Sequence, residues 1–423
     1  MSLVKSPKEI VEEAEASGSA GLLSRHLSWE RVEVGKIATI QNGAPFASTS
    51  FNSNKNGFPI IRIRDVGKNQ ISTWYEGEYS DDFIVRNGDL LIGMDGDFRS
   101  ARWLGEPALL NQRVCRLIVK DGRILQTFIE FALPAYLDAI AAETSSITVK
   151  HLSSKSIQQI PLPLPPLAEQ ERIVEILEEQ FSRLDSALAS VKAVREKAKA
   201  FRRSLLHSAF SGELTGGTEG WQVTSVSKLG KWSTGRTPST KVEGNFGGET
   251  PFATPADIDG VGKISDFKRF LTAQGVIEAR LLAPMSVILV CIGATLGKVG
   301  WAEIPVTTNQ QINALEPDTS TVSMKCAAYL FSSPLVQEAL WQASSSTTLP
   351  LLNKSSLLAM DINLPPLAEQ ERIVSVLEEQ FSRLDNALEV ANQLEARIAS
   401  ERRSLLHSAF TGALTATWRE THV

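Results

Sequence analysis

Apolar positions step by four and three along two long stretches of this chain. The first runs Ile173, Leu177, Gln180, Leu184, Ala187, Val191, Val194, Ala198, Phe201 and Leu205. The second runs Ile373, Leu377, Gln380, Leu384, Ala387, Ala391, Leu394, Ile398 and Leu405, with a break at Glu401. This is a heptad stripe, and such a stripe predicts a helix that needs a partner helix. Pro165 and Pro166 suit the first turn, because proline fixes φ and its missing N–H is not needed there. Glu169 and Glu171 follow at the positive end of the helix dipole. No Gly or Pro intervenes before Gly212, or before Gly412 in the second stretch; both are candidate left-handed stops. A helix from Ala168 to Phe210 would span ~64 Å.

The two stretches are near copies. Leu164–Leu188 and Leu364–Leu388 differ at three of 25 positions: Glu175/Ser375, Ile176/Val376 and Ser186/Asn386. Arg202 opens RRSLLHSAFSGELT and Arg402 opens RRSLLHSAFTGALT. Between these blocks, 189–201 and 389–401 share no identities but have equal length, as expected of a rigid spacer. The simplest partner for each helix is the other copy, paired antiparallel.

Short runs of strand character lie between Gly-containing loops in the rest of the chain. In residues 28–160 they are Lys36–Ile40, Pro59–Ile63, Asp89–Ile92 and Val114–Val119, followed by a helix over Gln126–Glu143 interrupted at Pro134. Residues 216–360 repeat the plan weakly. Trp29 and Gly43 are spaced like Trp221 and Gly235, and Pro59 and Asp65 like Pro251 and Asp257. Gly88–Ile92, ending at Gly96, matches Met285–Val290, ending at Gly293, and Asn111-Gln112 matches Asn309-Gln310. The expected class is α+β: two mixed α/β domains in tandem, each followed by a long helix, the helices forming an antiparallel coiled coil with pseudo-twofold character. The expected boundaries are 1–27 (N-terminal tail), 28–160 (first domain), 161–215 (first helix), 216–360 (second domain), 361–415 (second helix) and 416–423 (C-terminal tail). Lys8–Ala16 reads as a short acidic helix, and the N-terminal segment as a frayed periphery.

Composition narrows the function classes. The apolar fraction is that of a globular protein, and no apolar run is long enough to span a bilayer. Cys115, Cys291 and Cys326 have no metal spacing and no plausible pair, which points to a reduced, cytoplasmic setting. Catalytic motifs are missing. Gly293–Val299 has the wrong spacing for a phosphate-binding loop and no Ser or Thr after Lys298, and there is no H-E-x-x-H. His26, His151, His207, His407 and His422 make no cluster with Cys or carboxylates along the sequence. Asp95 and Asp97 could suggest a metal pair, but a loop bonding its own backbone is the simpler reading. Two similar halves would match the twofold axis of duplex DNA, and diverged halves would read different half-sites.

The LPPLAEQERIV block, its duplication, the tandem plan and the Gly-Asp-Leu-Leu-Ile strand before a glycine loop resemble the specificity subunit of type I restriction–modification systems. The resemblance covers residues 28 to about 415. It implies two target recognition domains reading the two parts of an asymmetric, bipartite DNA site. It implies paired helices that set the gap between the parts and bind two modification (methyltransferase) subunits, with restriction (translocase/nuclease) subunits joining them. It also implies a non-catalytic chain without cofactors of its own; S-adenosylmethionine, ATP and Mg belong on the partner subunits.

Candidate DNA-binding residues follow from base and phosphate chemistry, since Arg can read guanine and Asn or Gln adenine. In the first domain they are Asn42, Arg62, Arg64, Lys68, Asn69, Asp95, Arg99, Arg102 and Arg113. Arg62 and Arg64 alternate with Ile61 and Ile63 and so would share one strand face. In the second domain they are Arg236, Lys241, Asp257, Thr295, Lys298, Gln310 and Gln311. Candidate partner-binding residues are the repeated Glu171, Arg172, Glu179 and Arg183, with Glu371, Arg372, Glu379 and Arg383. Charge argues against strong DNA binding by the chain alone. Residues 27–150 carry 14 Lys/Arg against 15 Asp/Glu, and residues 216–350 carry 10 against 11, whereas phosphate neutralisation usually dominates affinity. Three other readings stay open from sequence: a specificity subunit of a related defence system, a coiled-coil protein–protein adaptor, and an enzyme whose centre is built from scattered residues.

Overall fold

The structure is a computed structural model, described over residues 5–68, 70–143, 151–345 and 349–422. The chain divides into two compact units, 1–190 with 394–423, and 191–393. Each unit holds one α/β domain, part of the helix that follows it, and part of the other long helix.

In the first unit, strand Glu30–Glu33 pairs antiparallel with Pro161–Leu164, the segment that leads into the first long helix. A four-stranded sheet runs Ala38–Asn42, Val114–Val119, Leu90–Gly93, Ser100–Arg102, all antiparallel. A second sheet of five short strands has Phe58–Ile61 parallel to Ala108–Leu110 at its centre. Helix Gln126–Glu143 closes the core with Phe128, Ile129, Leu133, Tyr136 and Leu137 buried. Pro134 lies inside this helix and does not end it, contrary to the expected interruption. The expected strand Lys36–Ile40 is also shifted. Val34–Ile37 form a helical turn, and the strand begins at Ala38. Val34 and Ile37 are both fully buried three residues apart, which suits helical rather than strand periodicity.

The second unit repeats the plan. Gln222–Ser225 pairs antiparallel with Asp361–Leu364. A five-stranded sheet runs Gly230–Thr234, Ile312–Pro317, Val287–Val290, Val299–Trp301, Gly262–Lys263. A four-stranded sheet has Phe246–Ala253 parallel to Val306–Thr308 at its centre. Helices Met324–Ser332 and Pro334–Gln342 stand where the first unit has one continuous helix. Ser333 caps the second of them, accepting a bond from Val336 N.

Both long helices are 44 residues, Leu167–Phe210 and Leu367–Phe410. Within each unit the early part of one helix lies beside the late part of the other, in antiparallel register. In the first unit Arg402 Nη1 is 2.7 Å from Asp185 Oδ1, and its guanidinium lies over the Phe181 ring at 4.5 Å. In the second, Arg202 repeats both contacts with Asp385 at 2.6 Å and Phe381 at 4.6 Å. Arg195 also donates to Asn392 Oδ1 at 2.7 Å.

The seam differs from the one expected. Val194, Phe201 and Leu394 are 43%, 48% and 43% exposed, and positions 195, 202, 395 and 402 turn inward instead. The stripe therefore runs 184, 188, 191, 195, 198, 202, 205, keeping the four-three step one residue later. The break at Glu401 disappears, because half-buried Arg402 takes the inward place. The stems of Arg202 and Arg402 cover ring surface while their heads reach carboxylates, so these two positions are amphipathic rather than apolar.

Residues 5–27 are not frayed. Helix Pro7–Ala16 starts at a Ser6–Glu9 capping box, and Ile10, Val11 and Leu23 join the first unit's core. Near it, the carboxylate of Glu169 is 1% exposed. It accepts from Trp29 Nε1 at 3.0 Å, Thr415 Oγ1 at 2.7 Å and Arg419 Nε at 2.9 Å. Arg419 lies on a final helix, Ala416–His422. The matching Glu369 is less buried and accepts from Thr215 Oγ1. The residue four past Thr215 is Glu219, not an arginine.

Candidate nucleic-acid interface

In the first unit the candidate residues fall mostly on turns that follow strands of its two larger sheets, with Arg102 inside strand Ser100–Arg102. Strand Ala38–Asn42 ends at Gly43, whose N–H donates to Val114 O at 3.1 Å. A Cβ at Gly43 would lie 2.2 Å from Asn111 O, so only glycine permits this close approach. Asn42 donates from its side chain to Ser154 Oγ at 3.2 Å. Strand Leu90–Gly93 leads into the 94–99 loop. Asp95 is held there from two sides, by Arg113 Nη1 at 3.3 Å and His151 Nδ1 at 2.7 Å. His151 thus meets a single carboxylate, a contact the expectation of no histidine cluster did not address. The partners are 56 residues apart, and no sequence spacing could have shown the contact.

Arg62 and Arg64 do not share a strand face. The strand ends at Ile61, and Ile63–Asp65 form a 3-10 turn with Arg62 as its cap. Asp65 accepts from Arg62 N at 2.8 Å; its burial raises the carboxyl pKa, against this bond, which lowers it. Arg64 donates to Ser72 and Thr73, each at 2.9 Å, and Arg62 lies 5.8 Å from the Phe51 ring. Arg64, Lys68, Asp95, Asp97 and Arg99 line one open cleft of about 230 Å³. Arg99 is 3.4 Å from Asp97. Arg102 stands apart, bound by Glu130 at 2.6 Å, a hydrogen-bonded pair that raises the guanidinium pKa. Asn69 lies outside the described residues. Among the described residues no three His, Cys, Asp or Glu could hold a metal ion together.

The second unit builds matching turns from different side chains. Gly235 N–H donates to Ile312 O at 3.0 Å, and its Cβ would lie 2.2 Å from Asn309 O. Arg236 and Lys241 are exposed and form no ion pair among the described residues. Gln310 accepts from Thr237 Oγ1 at 2.5 Å, and Gln311 Oε1 accepts from Asn309 Nδ2 at 2.8 Å. Lys298 donates to Ile258 O at 2.6 Å. Asp257 mirrors Asp65: it accepts from Thr254 N and Oγ1, both at 2.7 Å, and from Lys268 N at 3.2 Å. Thr295 lies half-buried in the loop after strand Val287–Val290. Within each unit, then, most of the candidates gather on equivalent turns, while the charges they carry differ.

The candidate partner-binding residues lie on the long helices. Glu171, Glu179, Arg183, Glu371, Arg372, Glu379 and Arg383 are exposed, and Arg172 half-exposed. Arg183 pairs with Glu179 and Arg383 with Glu379, both at 2.6 Å. Arg172 pairs with Glu175 at 2.6 Å, an acid that Ser375 replaces in the second copy.

The family model for the type I restriction modification DNA specificity domain matches twice, over residues 27–191 and 218–399. The chain belongs to the type I restriction–modification DNA specificity family. The EcoBI specificity subunit of Escherichia coli is 34% identical over 447 residues, covering 99% of this chain and 92% of that one. The MjaIX specificity subunit of Methanocaldococcus jannaschii is 33% identical over 43% of this chain and 42% of its own. A solved chain from a type I restriction–modification system superposes with a TM-score of 0.70 at 17% identity, over 92% of this chain and 99% of that one, and supports the fold. As a specificity subunit, this chain supplies DNA sequence recognition to its restriction–modification system.

Proposed function

We propose that each α/β domain reads one part of an asymmetric, bipartite DNA site, and that the repeated helices dock two methyltransferase subunits, with restriction subunits joining the assembly. One observation carries this reading. Equivalent backbone turns present Asn111-Gln112-Arg113 in one domain and Asn309-Gln310-Gln311 in the other, while the helix blocks repeat nearly unchanged. Readers that diverge on a shared scaffold suit two different half-sites; a docking surface that does not diverge suits two copies of one partner. The chain itself is non-catalytic in this reading, acting in the cytoplasm. S-adenosylmethionine, ATP and Mg would be held by the partner subunits.

The charge pattern suits a shared clamp. Several arginines at the turns already carry acidic partners, and the whole chain has a formal charge of −5. The chain alone would therefore neutralise few phosphates and bind DNA weakly. Selection from a randomised duplex library, with the chain alone and with its methyltransferase subunits, tests this. An asymmetric two-part motif with a fixed gap, enriched mainly in the mixture, is expected. No enriched motif in either sample would overturn the reading.

A further inference from the structure

The Asn-Gln-X turn occupies the same place in both domains. Arg113 O accepts from Met94 N at 2.9 Å, and Gln311 O accepts from Cys291 N at 2.8 Å. Arg113 N donates to Asn111 Oδ1 at 3.4 Å, and Gln311 N to Asn309 Oδ1 at 3.1 Å. Isolated bridges link Asp95 to His151 and Ile292 to Leu351 at matching positions. One framework thus carries a cation beside a carboxylate in the first domain and a neutral amide beside another amide in the second.

The side chains at this place have complementary reading chemistry. Arg113 is 65% exposed and is steadied at Nη1 by Asp95, which His151 holds in turn. A guanidinium fixed at one nitrogen still offers a fork of donors, the pattern that meets guanine O6 and N7. Gln311 has one Oε1 lone pair engaged by Asn309 Nδ2. Its second lone pair and its NH₂ remain to form the two bonds that meet adenine N6 and N7.

We infer that position X of this turn is a specificity-determining site in both domains, with Arg113 reading a guanine in one half-site and Gln311 an adenine in the other. The inference rests on the DNA-reading function proposed above and adds the base identity.

The test is library selection with the complete assembly carrying wild-type chain, Arg113→Gln, Arg113→Lys or Gln311→Arg. The wild type should give one guanine in the first half-site and one adenine in the second at the columns these residues face. Arg113→Gln should convert that guanine column to adenine and leave all other columns unchanged. Arg113→Lys keeps the charge but loses the fork, and should flatten the same column about tenfold or more. Gln311→Arg should convert the adenine column to guanine. A wild-type bipartite motif whose columns are unmoved by all three variants would overturn the inference and leave the proposed function standing. Loss of the whole first half-site in both Arg113 variants would also overturn it, placing Arg113 on the phosphates. Absence of a bipartite motif from the wild type would defeat the proposed function, and the inference with it.

Discussion

At the scale of single residues, burial sets both reactivity and stability. Desolvation pushes the thiols of Cys115 and Cys326 up to about 12 and that of Cys291 up to about 11. The thiolate is the reactive form, so a maleimide at pH 8 should leave the native chain unmodified and label all three cysteines once it is denatured, as mass spectrometry would show. Glu169 is a buried charge that needs Trp29, Thr415 and Arg419 all in place to satisfy it. Arg419→Ala would leave this carboxylate without its cation and should cost about 3 kcal/mol. Glu369→Gln should cost less than Glu169→Gln, since Glu369 is less buried and has no arginine clasp among the described residues. Denaturant unfolding of the three variants checks both statements. Little of this was legible in the sequence. Glu169 read as a helix-dipole residue, and its partners lie 140, 246 and 250 positions away. The Asp95–His151 contact was hidden for the same reason. The Asn-Gln turns could be found, because Gly43 and Gly235 recur at a fixed spacing from Trp29 and Trp221 and each must sit against a backbone oxygen.

At the scale of elements, length and type were readable where local signals agreed. The double proline, the absence of helix breakers and a glycine stop define both long helices. Gly212 and Gly412 do adopt positive φ, 87° and 76°. The seam was misplaced by one residue in its middle because apolar identity favoured Val194 and Phe201 over Arg195 and Arg202. At 202 and 402 the inward arginine is held by a carboxylate of the facing helix and by an aromatic ring beneath its guanidinium. The ion pairs Arg202–Asp385 and Arg402–Asp185 are partly exposed, so each should couple by only about 0.2–1 kcal/mol in a double-mutant cycle. The contribution should fall further at high salt. The outer face is a different matter. Reversing charge at Arg172 and Arg372 together, as Arg→Glu, removes one short-range helix pair at most and should leave the fold intact. If this face docks the methyltransferase subunits, size-exclusion chromatography should show weakened assembly, and an unchanged elution profile would remove Arg172 and Arg372 from the docking surface.

At the scale of the whole molecule, the tandem plan was legible from the duplication alone, and the two matched specificity domains reproduce it. The antiparallel pairing read from the duplication has its counterpart in the packing, since each compact unit holds part of the other repeat's helix, 394–410 in one case and 191–210 in the other. Sequence places each helix after its own domain, whereas packing assigns its two ends to different units. Such an arrangement makes both domains depend on both helices, and a chain truncated before residue 394 should lose structure in its first unit. The central claim is that the two domains read different halves of one DNA site. The most direct measurement is to map methylated bases in DNA from cells carrying this chain with its methyltransferase partner, against cells carrying the partner alone. The account predicts methylation within one asymmetric, two-part motif with a fixed gap, present only with this chain. A single uninterrupted motif, or methylation unchanged by the chain, would contradict it.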